Sequence, residues 1–171
     1  GQTHNYYDEI VSLTGKSPML RTGDFQVYTE GYPYLWKDGG HTFGKTDDGT
    51  VDELINWYNS TNGKGIVSFQ WHWHSPTGGE AGTNTFYTDY TTFDITRAVT
   101  PGTPEYDDII RDIDDISAEL KKFQDAGIPV LWRPLHEAGG GWLWWGAGGA
   151  EACLELYDIM YDRMKNHHKL H

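Results

Sequence analysis

Apolar positions along this chain follow two rhythms in turn. Between Thr103 and Gly127 the rhythm is helical, because Tyr106, Ile109, Ile110, Ile113, Ile116, Leu120 and Phe123 recur at spacings of three and four and so share one face of a helix. Thr103 suits the N-cap, Pro104 suits the first turn where its missing N–H costs nothing, and Gly127 suits a left-handed stop. Asp107, Asp108, Asp114 and Asp115 fall mostly off the stripe and read as a solvated acidic face rather than as metal ligands. A short helix is expected over 6–13. A second carries Val51, Leu54, Ile55 and Tyr58 on one face and ends at Asn62-Gly63. A last helix over 150–165 is expected to turn Leu154, Tyr157, Met160, Tyr161 and Met164 inward. Between these helices lie apolar runs of strand length at 19–22, 65–71 and 130–135. Strands alternating with helices predict parallel βα units. An irregular stretch over 72–102, rich in Gly, Thr and Tyr, is too long to be a plain connection and is a candidate for function.

The run over 130–146 combines more chemistry than any other. It begins as the apolar strand, then delivers Arg133, His136 and Glu137, three glycines, and Trp142, Trp144 and Trp145. Charged and polar groups gathered at the end of a buried strand are costly without partners or purpose. A carboxylic acid there can give a proton to a glycosidic oxygen, and flat indole faces can stack on sugar rings. Trp144 and Trp145 fit two roles equally, as part of that wall or as core. The competing reading is a core strand followed by a turn whose tryptophans pack inward, with Glu137 paired to Arg133.

Composition narrows the partners. The net charge is −12, which disfavours nucleic acid and anionic membranes, since both need basic surfaces. No stretch approaches the roughly 20 apolar residues that a membrane span needs. An uncharged polysaccharide is indifferent to the charge, and 8 Trp with 11 Tyr suit a carbohydrate surface. The single cysteine, Cys153, cannot form an internal disulfide and reads as a structural thiol on the last helix. No leader segment is read at Gly1.

At this point the residues resemble a family. The sequence WRPLHEAGGGWLWWG at 132–146 is similar to the strand-four motif of glycoside hydrolase family 26, the β-mannanase family of clan A (β/α)8 barrels. Residues 65–76, with Trp71-His72 and Pro76, resemble its strand three and the loop that follows. Residues 93–106 and 112–130 resemble its approach to helix three and the crossover to strand four. Gly1-Gln2 resembles the end of strand one, and residues 18–24 resemble strand two. The resemblance implies an α/β fold of TIM-barrel type with about the first four βα units, residues 1–171 forming a partial catalytic domain. A closed barrel of this kind takes about 250 residues. Either the chain is a fragment, or the remainder is removed, unseen, or supplied by a second chain that completes the C-terminal half.

The same resemblance implies roles. Glu137 becomes the general acid/base of a retaining hydrolase, His136 the residue that orients nucleophile and sugar, and Arg133 a support for the catalytic carboxylates. Trp142 becomes a tryptophan at the cleavage site, and His72, with Trp71 beside it, a contact to the sugar before the scissile bond. Asp24 and Gln26 are candidates for a distal subsite; His74 has no assignment. The partner carboxylate lies about 5 Å away in a retaining enzyme and in this family is a glutamate on strand seven, beyond this chain. Glu80 and Asp94 match no nucleophile motif. The implied activity is endo-hydrolysis of β-1,4-mannosidic bonds in mannan, glucomannan or galactomannan, outside the cell and without a cofactor. Relatives acting on mixed-linkage β-glucan or β-1,3-xylan are an alternative, as is a non-catalytic carbohydrate-binding fragment. A metal site built on His72, His74, His136 and Glu137 is weak, because HExxH fails at Gly140 and no third ligand is defined.

Overall fold

A computed structural model describes residues 6–171. The expected end of strand one at Gly1-Gln2 lies outside the described residues. Three strands, β1 (Leu20–Asp24), β4 (Ile66–Gln70) and β5 (Val130–Arg133), form a parallel sheet in the order β1-β4-β5. The crossovers carry α2 (Thr50–Ser60) and α4 (Pro104–Asp125), and α6 (Gly149–Asp162) follows β5. The described residues therefore hold three βα units, preceded by α1 (Tyr6–Thr14), the helix of the expected first unit. Two short helices, α3 (Ile95–Ala98) and α5 (Trp144–Ala147), sit in the loops after β4 and β5.

Parallel pairing fixes which side chains share a face. Leu20, Thr22 and Asp24 stand beside Ser68 and Gln70, which stand beside Leu131 and Arg133. The alternate residues, Val67, Phe69 and Trp71, point the other way, where they are buried under the helices. This second face holds the core. Its α4 contribution comes from Ile109, Ile113, Ile116, Leu120 and Phe123, the stripe read from the sequence. The capping expectation also holds, since the Thr103 hydroxyl accepts from the Tyr106 backbone N–H at 3.1 Å, and Gly127 stands at φ +70°.

The last helix differs from its expected face. Leu156, Met160 and Met164 are buried, whereas Leu154, Tyr157 and Tyr161 are exposed. Apolar residues occur on both sides of this helix, so a spacing of three or four fits two stripes. Cys153, between them, is half-buried and free.

The sequence reading passed over a small hairpin in the loop after β1. Strands β2 (Leu35–Lys37) and β3 (Gly40–Thr42) pair antiparallel, with Lys37 opposite Gly40 and Trp36 opposite His41. The two turn residues, Asp38 and Gly39, both have positive φ, 53° and 79°. An Asp-Gly pair with both residues left-handed makes the tight turn whose twist matches a hairpin, so the signal was local and present.

One carboxylate is buried on the apolar face of α4. Asp112 is wholly buried and accepts hydrogen bonds from Trp73 Nε1 at 2.8 Å and from Arg111. Burial pushes its pKa from 3.8 up to about 7, with both donors pulling the other way. The folded protein therefore binds a proton more tightly than the unfolded chain, and this contribution is full below pH 3.8 and lost as the pH rises through about 7. We expect the stability of Asp112→Asn relative to wild type to rise by on the order of a few kcal/mol across that window. Chemical denaturation at several pH values checks this, and a difference independent of pH would refute it.

Candidate active site

The strands deliver their last side chains to one rim. Asp24 ends β1, Gln70 ends β4 with His72 two residues further on, and Arg133 ends β5 with His136 and Glu137 just beyond. In parallel βα folds this carboxyl-terminal edge is where loops build sites.

Asp24 is the hub. Its carboxylate accepts from the His72 backbone N–H at 3.0 Å, from the His72 ring Nδ1–H at 2.5 Å, from Gln70 Nε2 at 3.1 Å and from the Gln26 backbone N–H at 3.1 Å. Burial pushes its pKa up, but the His72 ring, the His72 backbone N–H and Gln70 together bring it below the usual value. His72 moves the opposite way. Its hydrogen bond to Asp24 raises its pKa against the cost of burial, aided by the charges of Asp24 and Glu137. His136 lies with Nε2 3.2 Å from His72 Nε2. Burial lowers its pKa, and the neighbouring His72 and Arg133 add to this. One proton is shared between these two Nε2 atoms, so one ring donates and the other accepts. His136 Nδ1 is buried with no hydrogen-bond partner among the described residues.

Arg133 donates to Gln70 Oε1 at 3.2 Å rather than to Glu137. The network runs Arg133 to Gln70, Gln70 to Asp24, and Asp24 through His72 to His136. Glu137 sits exposed at the far end, its Oε2 accepting from Trp142 Nε1 at 3.2 Å. Trp142 is half exposed, at 50%. A Cβ on Gly140 would fall inside the Trp142 ring, so only glycine allows the indole to lie across this backbone. Leu135 and Glu137 both take left-handed φ, 51° and 56°. Such positions are uncommon for non-glycine residues, and for a leucine they store strain.

The remaining tryptophans belong elsewhere. Trp71, expected at the substrate, is 1% exposed and stacks on Trp73 at 3.9 Å between centroids. It continues the helix-facing alternation of Val67 and Phe69, so its ring faces the core and not the rim. Trp144 and Trp145 are also buried, their indole N–H groups donating to the backbone oxygens of Trp73 and His136 at 2.7 and 2.8 Å. Asp24 and Gln26, expected at a distal subsite, are turned beneath the histidines. Gln26 Nε2 donates to His74 Nε2 at 3.3 Å, and His74 Nδ1–H donates to Thr85. Burial holds His74 neutral, its pKa lowered to about 3. The sequence reading gave Gln70 no role, although a glutamine closing an apolar strand on the face opposite Phe69 is a usable signal. Among the described residues no three His, Cys, Asp or Glu side chains gather as a metal site, and no helix is long and apolar enough to cross a membrane.

The carboxyl group of Glu137 thus stands beside a half-exposed indole at the carboxyl-terminal rim of a parallel sheet. The chain belongs to glycosyl hydrolase family 26, whose model matches residues 2–171. It is 40% identical over 157 residues to "Mannan endo-1,4-beta-mannosidase A" of a Piromyces species, covering 92% of this chain and 24% of that protein. It is 40% identical over 173 residues to a "Mannan endo-1,4-beta-mannosidase" of Thermothelomyces thermophilus, covering 98% of this chain and 33% of that protein. The solved structure of a GH26-CBM35 β-(1,4)-mannanase from Podospora anserina superposes with a TM-score of 0.82 at 39% identity, covering 98% of this chain and 36% of that one. A β-mannanase from a symbiotic protist of the termite Reticulitermes speratus, solved with a gluco-manno-oligosaccharide, gives 0.78 at 32% identity, covering 96% and 48%. The chain spans about a quarter to a third of the length of the curated relatives it matches.

Two expectations follow from the geometry. Asp24→Asn removes the acceptor that holds the His72 proton, so the His72 pKa falls; imidazole NMR titration reads this, and an unmoved His72 would remove Asp24 from the network. Gly140→Ala displaces the Trp142 indole, costing about 1–3 kcal/mol as overpacking does and breaking the Trp142–Glu137 hydrogen bond. Denaturant melts and the indole N–H chemical shift of Trp142 check both halves.

Proposed function

We propose that this chain supplies the acid/base side of an endo-acting, retaining β-mannanase that cleaves β-1,4-mannosidic bonds in mannan, glucomannan or galactomannan outside the cell. The observation that carries the reading is the placement of Glu137. It stands past the end of β5, accepts from Trp142, and adjoins the His136–His72–Asp24 chain. In the first step Glu137 protonates the leaving oxygen while a second carboxylate attacks the anomeric carbon. In the second step Glu137 takes a proton from water, which displaces that carboxylate. The second carboxylate comes from a later strand of the barrel, outside these residues. Asp24, the carboxylate bound within the network, is already saturated by four donors.

His136 and His72 set the sugar between these groups. The buried Nδ1 of His136 needs a partner, since an unsatisfied buried polar group costs about 1–3 kcal/mol. A sugar hydroxyl, which can donate or accept, meets that need. Trp142 offers one indole face to the ring at the cleavage site. Trp71 keeps no direct role in this reading; it fixes the strand from which His72 projects.

The rest of the barrel has a place to dock. Beside β5 an apolar groove is lined by Leu120, Phe123, Val130, Trp132, Tyr157 and Met160, and Leu131 is exposed on the inner face. A further strand pairing with β5, and its helix, cover both. Four βα units at the N-terminal side of a TIM-type barrel, completed by that half, are the architecture we propose for the whole domain. The relatives named above carry the mannan assignment; β-glucan and β-1,3-xylan are the competing substrates.

In the full-length protein, Glu137→Ala is expected to lower turnover of mannan by about 10²- to 10⁴-fold, the range of general acid–base catalysis, with oligosaccharide binding retained. Reducing-sugar release from mannan, mixed-linkage β-glucan and xylan tests this in parallel. Near-wild-type turnover by the variant would take the acid/base role from Glu137, and hydrolysis of β-glucan or xylan alone would replace the substrate.

A further inference from the structure

Asp24, Gln70 and Arg133 form one row across the sheet, because Asp24 is in register with Gln70 and Gln70 with Arg133. A carboxylate and a guanidinium thus flank a neutral amide. An amide can serve both at once, since it carries an acceptor and donors on one carbon. Gln70 Oε1 accepts from Arg133 at 3.2 Å, while Gln70 Nε2 donates to Asp24 at 3.1 Å. The two neighbours fix the orientation of the amide. Reversed, it would turn its donors to a cation and its oxygen to an anion.

Without the amide, Arg133 and Asp24 are drawn together. The strands β1 and β5 are two spacings apart, about 10 Å, a gap that a long arginine side chain closes. A guanidinium also matches a carboxylate in shape and charge. Such a pair takes the very oxygen that His72 uses, because Gln70 Nε2 and the His72 ring Nδ1 both bind Asp24 Oδ2. Among the described residues the bond to Gln70 is the one hydrogen bond of the Arg133 side chain, which is exposed on the same face of the sheet. Its other N–H groups are therefore available to a ligand.

We propose that Gln70 is a positioning residue of the hydrolase, a neutral spacer that holds the Arg133 guanidinium and the Asp24 carboxylate in one row without letting them pair. Asp24 then serves His72, and Arg133 keeps its remaining donors for the ligand. This rests on the mannan reading above. Gln70 acts through its two neighbours and touches no reacting atom.

The test uses the full-length protein and the variants Gln70→Met and Gln70→Glu. The first keeps the length of the side chain and removes both hydrogen bonds. The second keeps its shape and the acceptor for Arg133, but sets a second anion beside Asp24. In Gln70→Met, Arg133 turns to Asp24 and displaces His72, so the His72 pKa is expected to fall by about 1. In Gln70→Glu the guanidinium stays at position 70, and the added anion is expected to raise the His72 pKa by about 1. Glu137, Arg133, His136 and His74 also bear on His72, and none of them is substituted in either variant. Imidazole NMR titration reads the two shifts. Turnover of mannan reads their consequence, with kcat expected to fall about 10- to 100-fold in Gln70→Met and KM to stay within about threefold. A merely structural role lowers stability without moving His72 in opposite directions. Shifts of the same sign, or an unmoved His72, overturn the spacer, and an undiminished kcat overturns the positioning role; both leave the mannan reading standing. If the wild-type protein does not cleave mannan, that reading itself fails and takes the positioning role with it.

Discussion

The site depends on a single carboxylate that is not the proposed acid. Asp24 ends β1 and gathers four donors from β4, its following loop and its own turn. Leaving a half-buried carboxylate unsatisfied would be costly, so the backbone of His72 is drawn across the strand end to meet it. That contact stitches β1 to the loop after β4. It also selects the Nδ1–H form of the His72 ring and turns its Nε2 toward His136. Replacing any one donor weakens the others, since each orients the acceptor for the next. The rim is organised from β1 outward, although its chemistry lies beyond β5.

Tryptophan serves two purposes here, and strand direction separates them. Trp71, Trp73, Trp144 and Trp145 are almost wholly buried. Trp71 and Trp73 stack, Trp144 stands edge-on to Trp73, and Trp145 adjoins His136. The indole N–H groups of Trp144 and Trp145 tie the 142–148 turn to the backbones of Trp73 and His136. These rings form a stiff floor. Trp142 and Trp36 instead leave aromatic surface exposed. Rigid aromatics offer such faces with little rotamer freedom to lose.

How much of this the sequence could reveal varies by element. Helix α4 was legible because its stripe, its threonine cap and its glycine stop are local signals. Helix α6 was not, because apolar residues on two sides give two equally regular stripes, and only the position of β5 decides between them. Glu137, His136, Arg133, His72 and Trp142 stand at one rim because each lies at or just past the carboxyl end of a strand. Trp71, expected at the substrate beside His72, faces the core instead, because period-two alternation sends neighbours to opposite faces. Asp24 was singled out for the wrong task. Its four donors come from residues up to 48 positions away, and no local pattern encodes them.

The backbone at 135–137 shows what this arrangement costs. Leu135 and Glu137 both take left-handed conformations on either side of His136, each storing on the order of 1–3 kcal/mol. Glycine at either position would relieve the strain, but it would leave position 135 without a packed side chain or position 137 without a carboxylate. The strain is offset by the Trp145 N–H on the His136 carbonyl and the Trp142 N–H on Glu137. Together these pin His136 and Glu137 so that the histidine turns inward and the glutamate outward. An extended strand also sends adjacent side chains to opposite faces, yet it would keep both within the sheet. The left-handed pair instead swings the chain off the end of β5 and over the rim, so an acid and the ring that orients its substrate are presented side by side. That geometry requires glycine at 140, and a neighbouring helix short enough to bring Trp145 back beneath it.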